Sequence, residues 1–222
     1  MNDLHQFMNK FVDVEISGKT IRRGTMIDLG LDLMVLYSKQ QYYYIPLMHV
    51  QKVRADQPSS SELYETAGDP PIDHMTDSLS FRKILHHAKG QFVEIYVTGN
   101  KSLHGYLTSI MNDYFVFYSP VYKCMFISMN HLKWLIPYRP DITPYSLNHQ
   151  MMPFSPVHVS LTRTFVDLCK RLEGDLVMFD LGDHPDKIGL LQKVEQQTIE
   201  LVNASCEKVY WNLQHLKMVN VP

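Results

Sequence analysis

Apolar residues recur along the chain in short runs that are separated by turn signals. The segments FVDVEI, QFVEIYV and DLVMFDL have the length and the apolar spacing of β-strands. Each of them ends at a hairpin signal, which is Gly18, Gly99-Asn100 or Gly182-Asp183. Further strand-like runs follow each turn, and a short stretch with apolar residues at helical spacing precedes each first strand. The pattern predicts a mostly β protein in which a short helix introduces each group of strands.

This group of strands occurs three times. Equivalent glycines lie in the second strand of each copy, 81 and 84 residues apart, and they are Gly24, Gly105 and Gly189. A turn residue follows eight positions later, and it is Asp32, Asp113 or, in the third copy, Gln197. A His-aliphatic-x-x-aliphatic phrase begins 25 or 26 positions after the glycine, at His49, His131 and His215. Agreement at so many fixed offsets predicts a tandem triplication.

Each copy is expected to be one module, with a short N-terminal helix and a bent five-stranded antiparallel barrel. This layout is that of an Sm-like fold, and the repeated glycine fits it because glycine tolerates a sharp bend in a strand. The expected modules are residues 1–54, 78–138 and 160–222.

Two segments between the modules are rich in proline, serine and other polar residues. They are residues 55–77 and 139–159, and their composition predicts irregular linkers. The second linker carries four large apolar residues, so it is expected to lie across a barrel surface: Tyr145, Met151, Met152 and Phe154.

The composition is that of an ordinary soluble globular protein. Lys and Arg number 21 against 23 Asp and Glu, and the net charge of -2 does not favour a nucleic-acid binder, whose affinity comes largely from neutralising phosphates. No apolar run approaches the roughly 20 residues that a membrane span needs. The first residues, MNDLHQFMNK, do not resemble a signal peptide, so the chain is expected to stay on the cytosolic side after synthesis.

Candidate chemistry is sparse in this sequence. No phosphate loop, nucleophile elbow or HExxH motif is present, so no enzyme activity, catalytic residue, cofactor or metal is expected. The repeated histidines are expected to be structural, each bonding a backbone carbonyl or a turn aspartate within its own module. The scattered cysteines are expected to be buried thiols, with an intermolecular disulfide as the alternative: Cys124, Cys169 and Cys206.

RNA binding is the alternative function, because Sm-like barrels often bind RNA. Such sites combine a turn Asn or Asp with a stacking aromatic residue and basic side chains. Asn112-Asp113-Tyr114 resembles one such turn, but the other two copies have no equivalent set. Nucleic acid is therefore an unlikely partner on sequence grounds.

Assembly is the favoured mode of action. Barrels of this type leave the edges of their fourth and fifth strands exposed, and unpaired edges are templates for another chain. Aromatic residues in the fourth strands mark the candidate assembly edge: Tyr42, Tyr43, Tyr44, Tyr210 and Trp211. A homo-oligomer is expected.

The phrases YYYIPLMHVQKV, MFISMNHLKWL and VYWNLQHLKMV, with the strand and glycine segments before them, resemble the spore coat protein B family. The resemblance implies a non-enzymatic component of the outer spore coat or exosporium, made in the mother-cell cytoplasm and bound to other coat or exosporium proteins. Two features depart from that family: the loops after the first strands differ, and no Ser/Lys/Arg-rich tail follows the third copy.

Overall fold

The computed structural model describes residues 2–58, 67–72, 79–97, 102–139, 142, 144–146 and 159–221. These residues contain fifteen β-strands and two α-helices, besides several short 3-10 helices. The prediction of a mostly β protein is confirmed. Among the described helices, none has the length and apolar character needed to cross a membrane.

The first half of the chain begins with a 3-10 helix, Asn2–Phe7. Its other main elements are β1 (Phe11–Ile16), β2 (Thr20–Leu29), β3 (Leu33–Ser38), β4 (Gln41–Pro46), β5 (Val50–Ala55), α1 (Phe81–Ala88), β6 (Phe92–Tyr96) and β7 (Ser102–Ile110). A single 3-10 turn, Leu47–His49, joins β4 to β5.

The second half has β8 (Tyr114–Ser119), β9 (Lys123–Ser128), β10 (Trp134–Pro137), α2 (Phe165–Arg171), β11 (Leu176–Phe179), β12 (Ile188–Glu195), β13 (Thr198–Val202), β14 (Lys208–Asn212) and β15 (Met218–Asn220). The 3-10 turns Met129–His131 and Leu213–His215 precede β10 and β15. The fourth and fifth strands of each repeat are therefore joined in the same way.

The helices begin where short polar side chains can satisfy their first backbone N–H groups. The Ser80 hydroxyl accepts a hydrogen bond from the Lys83 N–H at the start of α1. The Thr164 hydroxyl accepts one from the Asp167 N–H at the start of α2.

The chain divides into two compact units, Met1–Tyr96 with Lys133–Thr143 and Val97–Leu132 with Pro144–Pro222. In the first unit the strand order is β6-β10-β4-β3-β2-β1-β5, with antiparallel pairing throughout. In the second unit the order is β14-β13-β12-β11-β15-β9-β8-β7, again antiparallel.

These units differ from the three expected modules. The first and fifth strands of the middle repeat, β6 and β10, lie in the first unit, and its β7, β8 and β9 lie in the second. The physical reason is that two of the fifth strands pair both inside and outside their own repeat: β10 pairs with β6 and also with β4, and β15 pairs with β11 and also with β9.

Each unit has its own apolar core. In the first, residues of β1 to β4 pack with Trp134 and Ile136 of β10. In the second, Tyr114, Val116 and Phe126 of the middle repeat pack with α2 and with the strands of the third repeat. The fifth strand β10 therefore contributes to the core of the first repeat, and α2 with β15 contributes to a core that also includes β8 and β9.

Parts of the expected linkers fall within the described residues. In the first linker Ile72 is buried, and the Tyr42 hydroxyl donates a hydrogen bond to the Gly68 carbonyl, so this segment lies against β4. In the second linker Tyr145 stays about half exposed, with its ring edge-on to His104. Met151, Met152 and Phe154 lie outside the described residues.

Candidate functional site

The three repeated glycines lie close to a backbone carbonyl group of the neighbouring antiparallel strand. A Cβ on Gly24 would be 2.5 Å from the carbonyl oxygen of Tyr37, thirteen residues later. Cβ atoms on Gly105 and Gly189 would overlap the carbonyl oxygens of Tyr118 and Val202, which are also thirteen residues later. A β-bulge follows each glycine at the same place, at Met26/Asp28, Leu107/Ser109 and Leu191/Lys193. These glycines bend the second strand of each repeat.

The turn residues have equivalent backbone contacts in all three repeats. The carbonyl oxygens of Asp32 and Asp113 accept hydrogen bonds from the N–H groups of Leu47 and Met129, both at 2.8 Å. The Gln197 carbonyl accepts the equivalent bond from Leu213 at 2.6 Å. The backbone at this turn therefore does not depend on whether the side chain is a carboxylate.

The two aspartate side chains have a further role. Asp32 Oδ1 accepts a hydrogen bond from the Phe81 N–H, the first residue of α1, at 2.7 Å. Asp113 Oδ1 accepts one from the Phe165 N–H, the first residue of α2, at 2.8 Å. A carboxylate at this position satisfies an N–H that has no partner inside the helix and lies at the positive end of the helix dipole. Each turn aspartate therefore fastens the helix of the next repeat.

Neighbouring backbone groups hold the same helices. Leu31 N–H donates to the Leu79 carbonyl at 2.9 Å, and Asn112 N–H donates to the Arg163 carbonyl at 3.0 Å. Beside α2, the Tyr114 hydroxyl also donates to the Thr162 carbonyl at 2.9 Å. The chain entering each helix is therefore bonded to the turn of the preceding repeat at more than one point.

Strand pairing completes the same connection. Leu135 of β10 lies opposite Tyr44 of β4, and Val219 of β15 lies opposite Phe126 of β9. All four side chains are buried. The first junction is the contact of Asp32 with α1 together with the pairing of β4 and β10. The second junction is the contact of Asp113 with α2 together with the pairing of β9 and β15.

Trp134 is the largest side chain at the first junction. It is fully buried and stacks on Tyr96 with the ring centroids 4.0 Å apart. The Arg22 guanidinium lies 4.3 Å from the indole centroid on β10, which is a cation–π distance. The fifth strand of the middle repeat thus contributes a large apolar side chain to the core beside β4.

Replacing Asp113 with alanine should lower the free energy of unfolding by about 1–2 kcal/mol, because the first N–H of α2 loses its acceptor and the helix dipole loses a negative charge. Asp32→Ala should behave in the same way at α1. Urea unfolding followed by circular dichroism measures both changes. The matched control is Gln197→Ala, since the exposed Gln197 side chain faces no described helix, and its effect should stay within about 0.5 kcal/mol. Equal losses in all three variants would contradict this role for the aspartates.

The repeated histidines are less alike than expected. His49 is buried, and its Nδ1 lies 3.0 Å from the Ser17 hydroxyl of the same repeat. His131 is partly buried, and its Nε2 lies 2.9 Å from the Gln214 carbonyl, which belongs to the third repeat. Burial lowers the pKa of His131, against the opposing effect of the Gln214 carbonyl. His215 is exposed. His49 alone is buried beside a residue of its own repeat, and its Nδ1 contacts a serine hydroxyl there, whereas a backbone carbonyl or a turn aspartate was expected.

The candidate assembly edge needs correction at three of its five residues. Tyr42, Tyr43 and Tyr44 lie in β4, which pairs with β3 on one side and β10 on the other, so they are not at a sheet edge. Tyr210 and Trp211 lie in β14, whose partner among the described strands is β13 alone. Tyr210 is 61% exposed, whereas the Trp211 indole N–H donates to the Asp186 carbonyl at 3.0 Å.

The turn that resembles an RNA site is used by the protein itself. Asp113 and the backbone of Asn112 bond to the chain around α2, and Tyr114 is fully buried. A stacking site needs an exposed ring face. The three residues that motivated the RNA alternative are therefore engaged at the second junction.

A buried ion pair in the third repeat was not anticipated from the sequence. The Lys187 ammonium lies 2.7 Å from Asp180 Oδ2 and 3.0 Å from Asp183 Oδ1. Burial acts to lower the pKa of Lys187, but its hydrogen bonds to the two carboxylates outweigh that effect and hold the pKa above its ordinary value. Asp180 Oδ1 accepts from the backbone N–H groups of Lys217 and Met218, which ties this loop to β15.

The three cysteines differ in exposure. Cys169 is a buried residue of α2, and burial raises the pKa of its thiol. Cys124 is half-buried, and burial raises its pKa to about 11. Cys206 is exposed. Within the described ranges, no three His, Cys, Asp or Glu side chains are grouped as metal ligands would be.

Comparison with known proteins gives three similarities. The domain family described as YwrJ third domain matches residues 164–219. The chain is 46% identical over 225 residues to "Uncharacterized protein YwrJ" of Bacillus subtilis (strain 168), covering 100% of both chains. It is 23% identical over 147 residues to "Spore coat protein B" of the same organism, which covers 66% of this chain and 36% of that protein.

Proposed function

The chain belongs to the YwrJ family, and from its partial similarity to spore coat protein B we propose that it is a non-enzymatic structural protein of the bacterial spore. Its place is the outer coat or exosporium, after synthesis in the mother-cell cytoplasm. It acts there by binding other coat or exosporium proteins.

The similarity to spore coat protein B is the observation that carries the proposal. It extends over 147 residues, which is longer than any one of the three repeated segments. A shared arrangement of repeats therefore accounts for it better than one shared strand motif. It covers about a third of that protein, so the role of the remaining two thirds is not transferred to this chain.

The uses of the repeated residues agree with a structural role. The glycines make room for a carbonyl group of the neighbouring strand. The aspartates accept hydrogen bonds from the first N–H groups of α1 and α2. Two of the histidines, His49 and His131, lie within hydrogen-bonding distance of Ser17 and Gln214. The repeated residues therefore stabilise the repeats and the contacts between one repeat and the next.

In this proposal each repeated segment is an Sm-like module. The support is a common set of features: a short helix, a glycine bend with a bulge after it, and a 3-10 turn between the fourth and fifth strands. The modules then share strands at the two junctions, which is why the compact units cut across the middle one.

Fractionation of spores tests the proposal. The chain should be produced with an epitope tag under a mother-cell promoter in Bacillus subtilis, the organism of both relatives, and its amount measured in coat extracts, spore cores and mother-cell lysate. We expect most of it in the coat extract, with a tagged cytosolic enzyme as the control for trapping. Recovery from the lysate alone would contradict a coat or exosporium role.

RNA binding is tested separately with the purified chain. Titration with short single-stranded RNA should give no binding at physiological salt, because Tyr114 is buried and the chain carries no excess positive charge. Binding that weakens steeply as salt rises would replace the coat proposal by the RNA alternative.

A further inference from the structure

The third repeat has no following repeat within the described residues, so the face that would form a third junction can be compared with the two that are filled. Cross-strand pairing defines equivalent positions: Val35 opposite Tyr44, Val116 opposite Phe126, and Glu200 opposite Tyr210. We call the residues on this side of the third and fourth strands the outer face of a repeat. If the outer face of the third repeat is apolar like the other two, it is suited to contact with another chain. If it is polar, it is suited to contact with water.

The outer faces of the first two repeats are apolar and mostly buried. In the first repeat the face consists of Leu33, Val35, Tyr37, Tyr42, Tyr44 and Pro46. In the second it consists of Tyr114, Val116, Tyr118, Cys124, Phe126 and Ser128. Burial of such side chains contributes roughly 25 cal/mol per Å² of apolar area, so these faces are suited to permanent contact.

The outer face of the third repeat is polar. It consists of Thr198, Glu200, Val202, Lys208, Tyr210 and Asn212, and none of these residues is fully buried. Glu200 and Lys208 form an ion pair at 2.6 Å, and the hydrogen bond from Lys208 lowers the pKa of Glu200. Covering this face with another chain would remove that ion pair from water, which is costly. The aspartate of the turn is also replaced, by Gln197.

The opposite end of the chain shows the complementary change. β5 pairs with β1 and with no other described strand. Its second edge is equivalent to the edge by which β10 pairs with β4 and β15 pairs with β9. Those strands present Trp134-Leu135-Ile136 and Met218-Val219-Asn220, all buried. At the equivalent positions β5 has Lys52, Val53 and Arg54, of which the two cations are exposed.

A second copy docked in the junction register would bury these cations. The register of the two junctions places Val53 opposite Tyr210, which puts Lys52 and Arg54 where Trp134 and Ile136 are fully buried. Arg54 already bonds Asp13 of its own repeat at 2.7 Å. Charged side chains on an edge strand are a common protection against unwanted pairing.

We propose that the repeat array is capped at both ends: the outer face of the third repeat and the outer edge of β5 are solvated surfaces that do not join one copy of the chain to another. Polar terminal faces are what keeps repeat proteins soluble at a defined length. The chain is then a unit of three repeats, and its partners bind elsewhere on it. This inference concerns the purified chain alone and does not depend on the proposed function.

The first test blocks the open edge of β14. The Leu213 N–H bonds to the Gln197 carbonyl, so alternation along the strand points the Tyr210 N–H away from β13. Tyr210→Pro therefore removes a donor from the open edge and spares the internal ladder. We expect equal masses for wild type and variant by sedimentation equilibrium at all concentrations. A wild-type mass that exceeds that of the variant would overturn the proposal.

The second test removes the caps. The variant Lys52→Met, Arg54→Asn, Gln197→Asp, Glu200→Val and Lys208→Tyr carries a residue of the first or second junction at each of these positions. Its mass should rise with concentration to that of a dimer or more, and Tyr210→Pro added to it should reverse the rise. A folded variant that keeps the wild-type mass would also overturn the proposal. Circular dichroism checks folding, and the first test stands even if this variant does not fold.

Discussion

Replacing Gly105 with alanine is expected to lower the free energy of unfolding by about 3 kcal/mol, which is the upper range for forcing an atom into a packed interior. The added Cβ would overlap the Tyr118 carbonyl oxygen, and it would also lie 3.0 Å from the Phe117 ring. Both neighbours are buried on β8 and cannot yield without moving that strand. Urea unfolding followed by circular dichroism measures the change.

The matched control is Gly68→Ala. A Cβ at Gly68 would meet no described atom within 4 Å, so its effect should stay within about 0.5 kcal/mol. Gly24→Ala and Gly189→Ala should resemble Gly105→Ala, because each also faces a carbonyl oxygen. If Gly105→Ala were as stable as wild type, the glycine would not be required for the close approach of β7 to β8.

Replacing Trp134 with alanine should cost about 3–5 kcal/mol, the usual range for removing a large aromatic side chain from a core. The change empties a fully buried site and removes the stacking on Tyr96 and the contact with Arg22. Thermal and urea unfolding of the purified variant measure the loss.

Lys52→Ala is the control for Trp134→Ala, since Lys52 occupies the equivalent position in the first repeat and is exposed. Its effect should stay within about 0.5 kcal/mol. The comparison separates a role at the junction from a general role of this strand position. Similar losses of unfolding free energy at both positions would mean that the side chain on β10 contributes no more than its equivalent on β5, which would contradict the role given to Trp134 at the first junction.

The repeat could be predicted from the sequence because its residues are local. The glycine, the turn residue and the 3-10 turn stand at fixed distances within each copy, and their backbone contacts lie inside it. The strands could be predicted for the same reason, since the spacing of apolar residues over five or six positions shows which side of a strand is buried.

The junctions could not be predicted in this way, because their contacts join residues that are far apart in sequence. Asp32 lies 49 residues from Phe81, and His131 lies 83 residues from Gln214. The spacing of residues within one repeat does not show which other repeat their side chains contact. One signal was present: β10 and β15 have uncharged residues where β5 has Lys52 and Arg54. That difference separates fifth strands that are covered from the one that is open.

The tyrosines of β4 were assigned to an open edge for a related reason. Aromatic residues in a strand indicate that something packs against them, but not whether the partner is another chain or a later segment of the same one. Here Tyr42 and Tyr44 are covered within the chain, by contacts that include Gly68 and Leu135. Tyr210, at the position equivalent to Tyr44, has no such cover from the described residues.

We propose that this chain is a structural protein of the spore surface, and imaging tests that role most directly. A fluorescent fusion expressed from a mother-cell promoter in sporulating Bacillus subtilis should move from the mother-cell cytoplasm to a shell around the forespore and remain on the released spore. The Trp134→Ala chain, which the packing predicts to be destabilised, should be depleted from that shell. A fusion of the wild-type chain that stays diffuse in the mother cell and is lost at its lysis would contradict the account.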